Sequence, residues 1–506
     1  MKIRKKYIAF FQAGIIFCLY HGSFIYSLNS GQEPNSEFDI FENSGDENKS
    51  GKKKLAGLQM DLVVQKQFPG TSIFLPDQNF AVFDSWIFSQ ILRYSQKARF
   101  SGIFSTNIDL GIRSTTNTKA QALKTMKDSS PSGQAIDMIH PMFNEELSFT
   151  HFYAYELSLN LNLSINNENI FCLSGGVLPL KMGNSFYRNP VSFFERYLPP
   201  REFIQEYTPI SFPGIKMGYS RDIYHMDLLF IPLIPYHNMG NNQEGKKISE
   251  YLYWINPASI FMAKNSFNFP VIQTDLYFFW ENNPDRKTQN HFGFGSEMIW
   301  RILKTLNMDW QLMISNGRAQ YGLSEKNTSG FAYYSFTPVE NSGQQYFMES
   351  LVSFNYSAVF FKKMNCDISA GYYFNGFGIP GNTYRSLTYA LDQTKKQYAT
   401  GNTLLNQFHL LFFSGVLAEY DPFVFNQHYL FFNIVSLQDV ELFTWGISAF
   451  ISLEAFSVMP VLFSNFNINS NVKIYLQISA GLGEKYAIFS ENPIAGAING
   501  GIQWSF

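Results

Sequence analysis

Nine charged residues stand singly on the polar side of alternating stretches: Arg99, Asp109, Glu156, Asp227, Asp275, Glu297, Arg301, Asp309 and Lys473. Six are acids and three are bases. Single charges repeated from stretch to stretch do not assemble a nucleophile or a metal cage. They build charged rings, which set ion selectivity wherever they line a water-filled path. The acidic excess implies a preference for cations or neutral solutes. The same residues serve equally well to solvate and cross-link a polar face. Glu297 and Arg301 share a face four residues apart, too far for direct contact without help from neighbours.

Other chemistry finds little footing. A hydrolase would need a serine, a histidine and an orienting polar group brought together. His140, His151, His225, His237, His291, His409 and His428 lie singly, and no G-x-S-x-G string occurs. There is no HExxH, CxxC or GxxxxGK[ST] string, so the expectation is no enzyme, no metal and no cofactor.

The elements that must carry these charges are strands. In "YAYELSLNLNLSI", Tyr153, Tyr155, Leu157, Leu159, Leu161, Leu163 and Ile165 share one face, and Ala154, Glu156, Ser158, Asn160, Asn162 and Ser164 share the other. Comparable ribbons run over 97–113, 306–315 and 472–484. At about 9–13 residues they suit a tilted bilayer-crossing strand, whereas soluble strands run nearer about 5–6.

The pattern predicts strands at 55–66, 86–94, 97–113, 147–165, 169–181, 209–220, 223–233, 257–264, 271–282, 291–303, 306–315, 346–362, 365–377, 426–438, 441–454, 456–468, 472–484 and 492–506. Their connections sort by length. Tight turns fall around Gln96, 166–169, Ser220-Arg221, Asn265 to Pro270, Lys304-Thr305, Lys362 to Asn365, Leu437 to Val440, and Ser470. Long ones are 114–146, 182–208, 234–256, 316–345 and 378–425. Short turns on one side and long loops on the other imply a closed antiparallel transmembrane β-barrel of about 18 strands, with 16 the alternative. The short turns would then face the periplasm and the long loops the exterior.

Composition agrees. The chain is 45% hydrophobic and 17% aromatic but only 15% charged, yet its mean hydropathy is −0.12, so the aromatics are dispersed among polar residues. The only long apolar run is N-terminal. Lys2, Arg4, Lys5 and Lys6 precede an apolar stretch from about Tyr7 to Tyr20, which reads as a signal peptide over 1–30. Removing those four from 38 basic residues leaves 34 against 40 acidic, which gives no basis for nucleic-acid binding. Residues 31–54 read as a disordered polar periplasmic leader, and 55–506 as the barrel. The leader is far too short for the plug domain of a gated receptor.

Three segments, "LSGGVLPLKMGNSFYRNPVSFF" (173–194), "YYFNGFG" (372–378) and "NQHYLFF" (426–432), resemble porin-like outer-membrane barrels of diderm bacteria, distantly similar to alginate-export-type proteins. In such proteins a glycine-containing strand leads to an Asn-Pro loop, here Gly183 and then Asn189-Pro190. The ending "NGGIQWSF" resembles a C-terminal sorting signal carried by Asn499, Gly501, Trp504 and Phe506. The resemblance implies recognition by periplasmic chaperones and the barrel-assembly machinery, and residence in outer-membrane lipid. The function it implies, with the polar faces, is a porin-like channel for passive diffusion of small hydrophilic solutes. A surface-exposed structural or adhesin barrel acting through its long loops is the alternative, and an outer-membrane hydrolase stands behind it. Neither the oligomeric state nor the solute is legible.

Overall fold

The computed structural model describes residues 56–69, 85–100, 103–117, 148–166, 169–180, 190–191, 210–232, 259–282, 291–316, 321–328, 331–338, 346–360, 364–397, 426–437, 442–469, 471–484, 487, 489 and 494–506. The signal-peptide and leader expectations, at 1–30 and 31–54, lie outside the described residues.

In chain order the elements are β1 (Ala56–Pro69), β2 (Ser85–Arg99), β3 (Phe104–Asn117), β4 (Ser148–Asn166), β5 (Asn169–Leu180), β6 (Ile210–Arg221), β7 (Tyr224–Ile231), β8 (Ser259–Asn268), β9 (Ile272–Asn282), β10 (His291–Leu303) and β11 (Leu306–Ser315). There follow β12 (Tyr321–Thr328), β13 (Phe331–Pro338), β14 (Phe347–Phe360), β15 (Met364–Asn375), helix α1 (Gly381–Gln397), β16 (His428–Leu437), β17 (Phe443–Ser452), β18 (Ser457–Asn469), β19 (Val472–Ala480), β20 (Leu482–Gly483) and β21 (Ile494–Ser505). Consecutive strands pair antiparallel from β1 round to β11, on through β14 to β19, and then to β21. β21 pairs with β1 from Gln59↔Ser505 to Pro69↔Ile494, which closes an 18-stranded barrel. Closure removes the edge that an open sheet would leave unpaired in lipid. The last residue takes part: Phe506 N donates to Leu58 O at 2.7 Å.

The barrel is apolar outside and polar inside. Along β9, Leu276 is exposed between buried Asp275 and Tyr277. Along β4, Leu157 and Leu159 are 50% and 55% exposed while Ser158 between them is 4% exposed. An exposed oily face on every sector belongs in lipid. Exposed aromatics gather at both ends, with Phe68, Trp86, Tyr346 and Tyr372 at one and Phe100, Phe104, Trp300 and Phe506 at the other, as interfacial girdles do.

Four details depart from the sequence reading. No turn forms around Gln96: β2 runs on to Arg99 and β3 begins at Phe104. Gln96 is paired on both sides, with Ala56 and Ile108, because Arg93 and Ser95 keep the alternation running to Arg99. The β8 strand runs to Asn268, past its expected end at 264. The register of β3 and β4 shifts between Asp109↔Glu156 and Leu110↔Ala154. This β-bulge gives β4 one extra residue, Tyr155, and takes its ring out of the oily row expected for it. Finally, the stretches 316–345 and 378–425 contain the β12–β13 hairpin and α1, neither of which has a period-2 register with the barrel.

Short connections occupy the barrel end where β1 begins and β21 finishes, and the long ones occupy the other, together with the four-residue turn 453–456 between β17 and β18. Three segments of the long-loop end turn into the interior. Val191 is 1% exposed among inward-facing Leu178, Leu229, Ile231, Ile260, Met262, Tyr277, Phe279 and Met313. Phe489 packs against Leu351, Tyr373, Tyr429, Phe431 and Phe450. Phe377 meets Phe347 with ring centroids 4.7 Å apart. This apolar packing at the mouth was not foreseen, because the inward faces of β7 and β8 change there from polar to aliphatic within one strand.

Candidate functional site

The interior polar face holds most of the charged residues singled out from the sequence, and the structure supplies partners for them. Asp109 receives a fork from Arg93, Nε to Oδ1 at 2.8 Å and Nη2 to Oδ2 at 2.6 Å. Arg93 also lies over the Tyr155 ring at 4.5 Å, which is where the bulge in β4 delivers that ring. Next to it, Glu156 Oε1 accepts from Asn107 Nδ2 and Ser158 Oγ, each at 2.7 Å. Asp227 stands 3.1 Å from Lys216 Nζ and 3.1 Å from His225 Nε2. Asp275 stands 2.8 Å from Lys264 Nζ.

Across β9 to β11 three acids form one connected group. Asp275 faces Glu297, and Glu297 faces Gln311, in the strand register. The Tyr277 hydroxyl lies 3.2 Å from Asp275 Oδ2 and 3.0 Å from Glu297 Oε2. Gln311 Nε2 donates to Glu297 Oε1 at 3.0 Å and to Asp309 Oδ2 at 3.1 Å. All five residues are buried. Arg99 and Arg301 are exposed near the short-turn end, and Lys473 is half-buried opposite Gln503.

Arg93, Lys216 and Lys264 were missed from sequence. They sit on the same inward parity as their acid partners, so counting bases as closely as acids on each ribbon would have found them. With them included, the apparent six-to-three acidic excess among these residues becomes six to six.

Of the C-terminal residues, Asn499 is inward and 1% exposed. Gly501 leaves the space that the Tyr475 ring fills, since a Cβ there would come 2.4 Å from Tyr475 Cζ. Trp504 shares the outward face with Ile498 and Ile502, and Phe506 is 47% exposed.

At the long-loop rim, the ends of the connection 376–427 are held together. Ile379 and Asn426 form a parallel bridge. Asn426 Nδ2 donates to Ser452 Oγ at 2.8 Å, and Asn426 N donates to the Tyr429 hydroxyl at 2.7 Å. Glu454, in the turn between β17 and β18, accepts from the backbone N–H groups of Gln427 and His428 at 2.7 Å each. Arg385 of α1 donates to the Glu454 carbonyl at 2.9 Å. Gly381 lets the helix start against the Glu454 side chain, whose Cγ would lie 2.8 Å from a Cβ there. Asn382 Oδ1 accepts from Thr383 N at 2.8 Å, which satisfies one of the first-turn N–H groups. Burial pushes the Glu454 carboxyl above its ordinary value, against the pull of the backbone donors.

Together these features define a membrane-spanning β-barrel with a polar, internally cross-linked interior and a mouth narrowed by its own connections. No protein-family model matches the chain, and no curated protein matches it. Among solved structures it is similar to OccAB1 of Acinetobacter baumannii over 89% of this chain and 95% of that one, at 8% identity and a TM-score of 0.46. OccK5 (OpdH) of Pseudomonas aeruginosa aligns over 89% and 96%, at 8% identity and a TM-score of 0.42. A mutant of the Rh. blastica porin aligns over 89% and 99%, at 9% identity and a TM-score of 0.36. These are likenesses of fold alone. None of them supports the resemblance to alginate-export-type barrels.

Proposed function

We propose that the chain is an outer-membrane channel through which small hydrophilic solutes diffuse passively, without catalysis. One observation carries the reading: a closed ring of 18 strands with an apolar exterior and a polar interior. A barrel of about 16–18 strands is wide enough to leave an aqueous path, whereas about eight strands fill with their own side chains. On this reading Arg99, Asp109, Glu156, Asp227, Asp275, Glu297, Arg301, Asp309 and Lys473 line or rim the path, with Arg93, Lys216 and Lys264 as their counter-charges. The mouth segments at Val191, Phe377 and Phe489 set its width.

The cellular setting belongs to the same proposal. The N-terminal segment directs export and is cleaved, and the short turns face the periplasm. Asn499, Gly501, Trp504 and Phe506 present the signal that chaperones and the assembly machinery read. Purified folded protein added to a planar bilayer should give stepwise, ohmic conductance. A folded, inserted protein with no conductance overturns the channel and leaves the structural or adhesin role in its place.

A further inference from the structure

A cleft of about 450 Å³ opens at the long-loop rim, lined by Tyr372, Gly381, Asn382, Arg385, His428, Leu453 and Glu454. Its position is set by strand parity. Tyr372 stands three residues before the end of β15, with inward Tyr373 beside it, and points outward. Leu453 is 43% exposed and Leu430 is 40% exposed on the same outer side. The cleft therefore faces lipid and not the interior, at the depth of the aromatic girdle where headgroups lie.

Its polar groups are mostly donors left over from the rim's own hydrogen bonds. Arg385 spends Nη2 on the Glu454 carbonyl, and its Nε and Nη1 have no partner among the described residues. Asn382 uses Oδ1 on Thr383 N, and its amide Nδ2 has no partner among the described residues. His428 Nδ1 meets the Tyr372 hydroxyl at 2.6 Å. With that hydroxyl donating, the imidazole proton sits on Nε2. One acceptor lies behind them in the wall: Glu454 is 9% exposed, and its Oε2 is shut off from solvent and has no partner among the described residues, while Oε1 holds two backbone N–H groups. The helix N-terminus adds a further bias towards anions.

We propose that this rim cleft binds the phosphate-bearing headgroup of a membrane lipid. Arg385 and Asn382 hold the phosphate, and His428 Nε2 donates a further hydrogen bond. Tyr372, Leu430 and Leu453 cover the start of the acyl region. A lipid held there braces α1 against the rim, because Asn382 and Arg385 belong to the helix whereas Tyr372, His428 and Leu453 belong to the wall. The inference rests on the membrane-channel reading, since it needs this side of the barrel to face lipid.

The test counts lipid retained by the purified barrel in detergent, by native mass spectrometry, with phosphatidylglycerol and with diacylglycerol as probes. The wild type should retain phosphatidylglycerol about tenfold better, the worth of one good charge-assisted phosphate contact. Arg385→Ala should lose that preference, and Lys97→Ala, an exposed charge on β2, should keep it. Asn382→Asp retains the oxygen that accepts from Thr383 N but sets a negative charge beside the phosphate. It should also lose the preference while melting no lower than the wild type, which guards against a misfolded Arg385 variant. Equal retention of both lipids by the wild type, or an unchanged preference in both rim variants, overturns the proposal. So does Arg385-dependent binding of inorganic phosphate without any lipid preference, which would mark a free-anion site. Conductance of the same variants is a separate readout: its absence overturns the channel, whereas loss of lipid preference with conductance intact concerns this cleft alone.

Discussion

Arg93 grips Asp109 with both arms of its guanidinium, at 2.8 and 2.6 Å, while the Tyr155 ring lies against its face. Three adjacent strands meet in that contact. The guanidinium comes from β2, the carboxylate from β3, and the ring from the extra residue by which β4 breaks register with β3. The bulge therefore has a consequence: an aromatic that strict alternation would send to lipid instead covers a charged pair on the interior wall.

Breaking this pair should be costly, because both partners are only partly exposed, at 27% and 16% of their side chains. Removing one partner strands the other with its desolvation unrecovered. Arg93→Ala should lower unfolding stability by about 1–3 kcal/mol, read from urea midpoints of the folded barrel. It should also shift the reversal potential towards cations, more strongly at low salt, since charges are screened beyond about 8 Å at physiological ionic strength. A shift towards anions would contradict the placement of Asp109 on the conducting path.

The facing of β4 gives a second test. Leu159 is 55% exposed and its neighbour Ser158 is 4% exposed. Leu159→Arg should cost about 2–4 kcal/mol near the bilayer midplane, measured by reversible unfolding in lipid vesicles. Asn160→Arg, on the polar face, should cost much less. Single cysteines should follow suit, with position 160 labelled by a water-soluble maleimide and position 159 protected. Equal labelling at both positions would mean that this strand does not cross a bilayer.

Period-2 alternation made the barrel legible, because each strand buries one face and exposes the other along its whole length. All 18 barrel strands lie where the alternation puts them, to within a few residues at most ends. What stayed hidden has the opposite character. Among its described side chains α1 buries Tyr384 and Thr388, a helical spacing too short and too polar to stand out beside the ribbons. The interior apolar clusters were hidden because Leu229, Ile231 and Met262 look like ordinary strand residues, and only register shows that they point inward. The site was legible as a list of acids but not as a network. Lys216, Lys264 and Arg93 gain their meaning from cross-strand neighbours that lie far away in sequence.

Val191 offers the direct test of the narrowed mouth. It is 1% exposed among apolar inward-facing side chains, so an ionised side chain there would be buried without a partner. Val191→Asp should free this segment from the wall. Single-channel conductance should rise while strand content by circular dichroism stays constant. A decrease, or no change in a folded variant, would show that the segment does not restrict the path.

Glu454 gives the pH dependence of the rim. Burial raises its carboxyl above the ordinary 4.5, so the pinned state binds the proton more tightly than an opened, solvated one. The sign follows from linkage. The contribution of the pinned state is complete below about 4.5 and declines as pH rises through the raised value. Acid therefore favours the closed rim. Oε1 can accept from Gln427 and His428 in either protonation state, whereas Oε2 has no partner when ionised. Amide exchange at Gln427 and His428, corrected for the intrinsic rate, should be slower at pH 5 than at pH 7. Glu454→Gln keeps an acceptor without the charge and should be slow at both pH values. Any dependence left in that variant belongs to the other titratable and charged groups in contact, His428, Tyr372 and Arg385. Glu454→Ala should exchange fast at both, because each buried N–H left without an acceptor costs about 1–3 kcal/mol. Faster exchange at pH 5 in the wild type, or a Gln variant that tracks it, would remove Glu454 from the control of this rim.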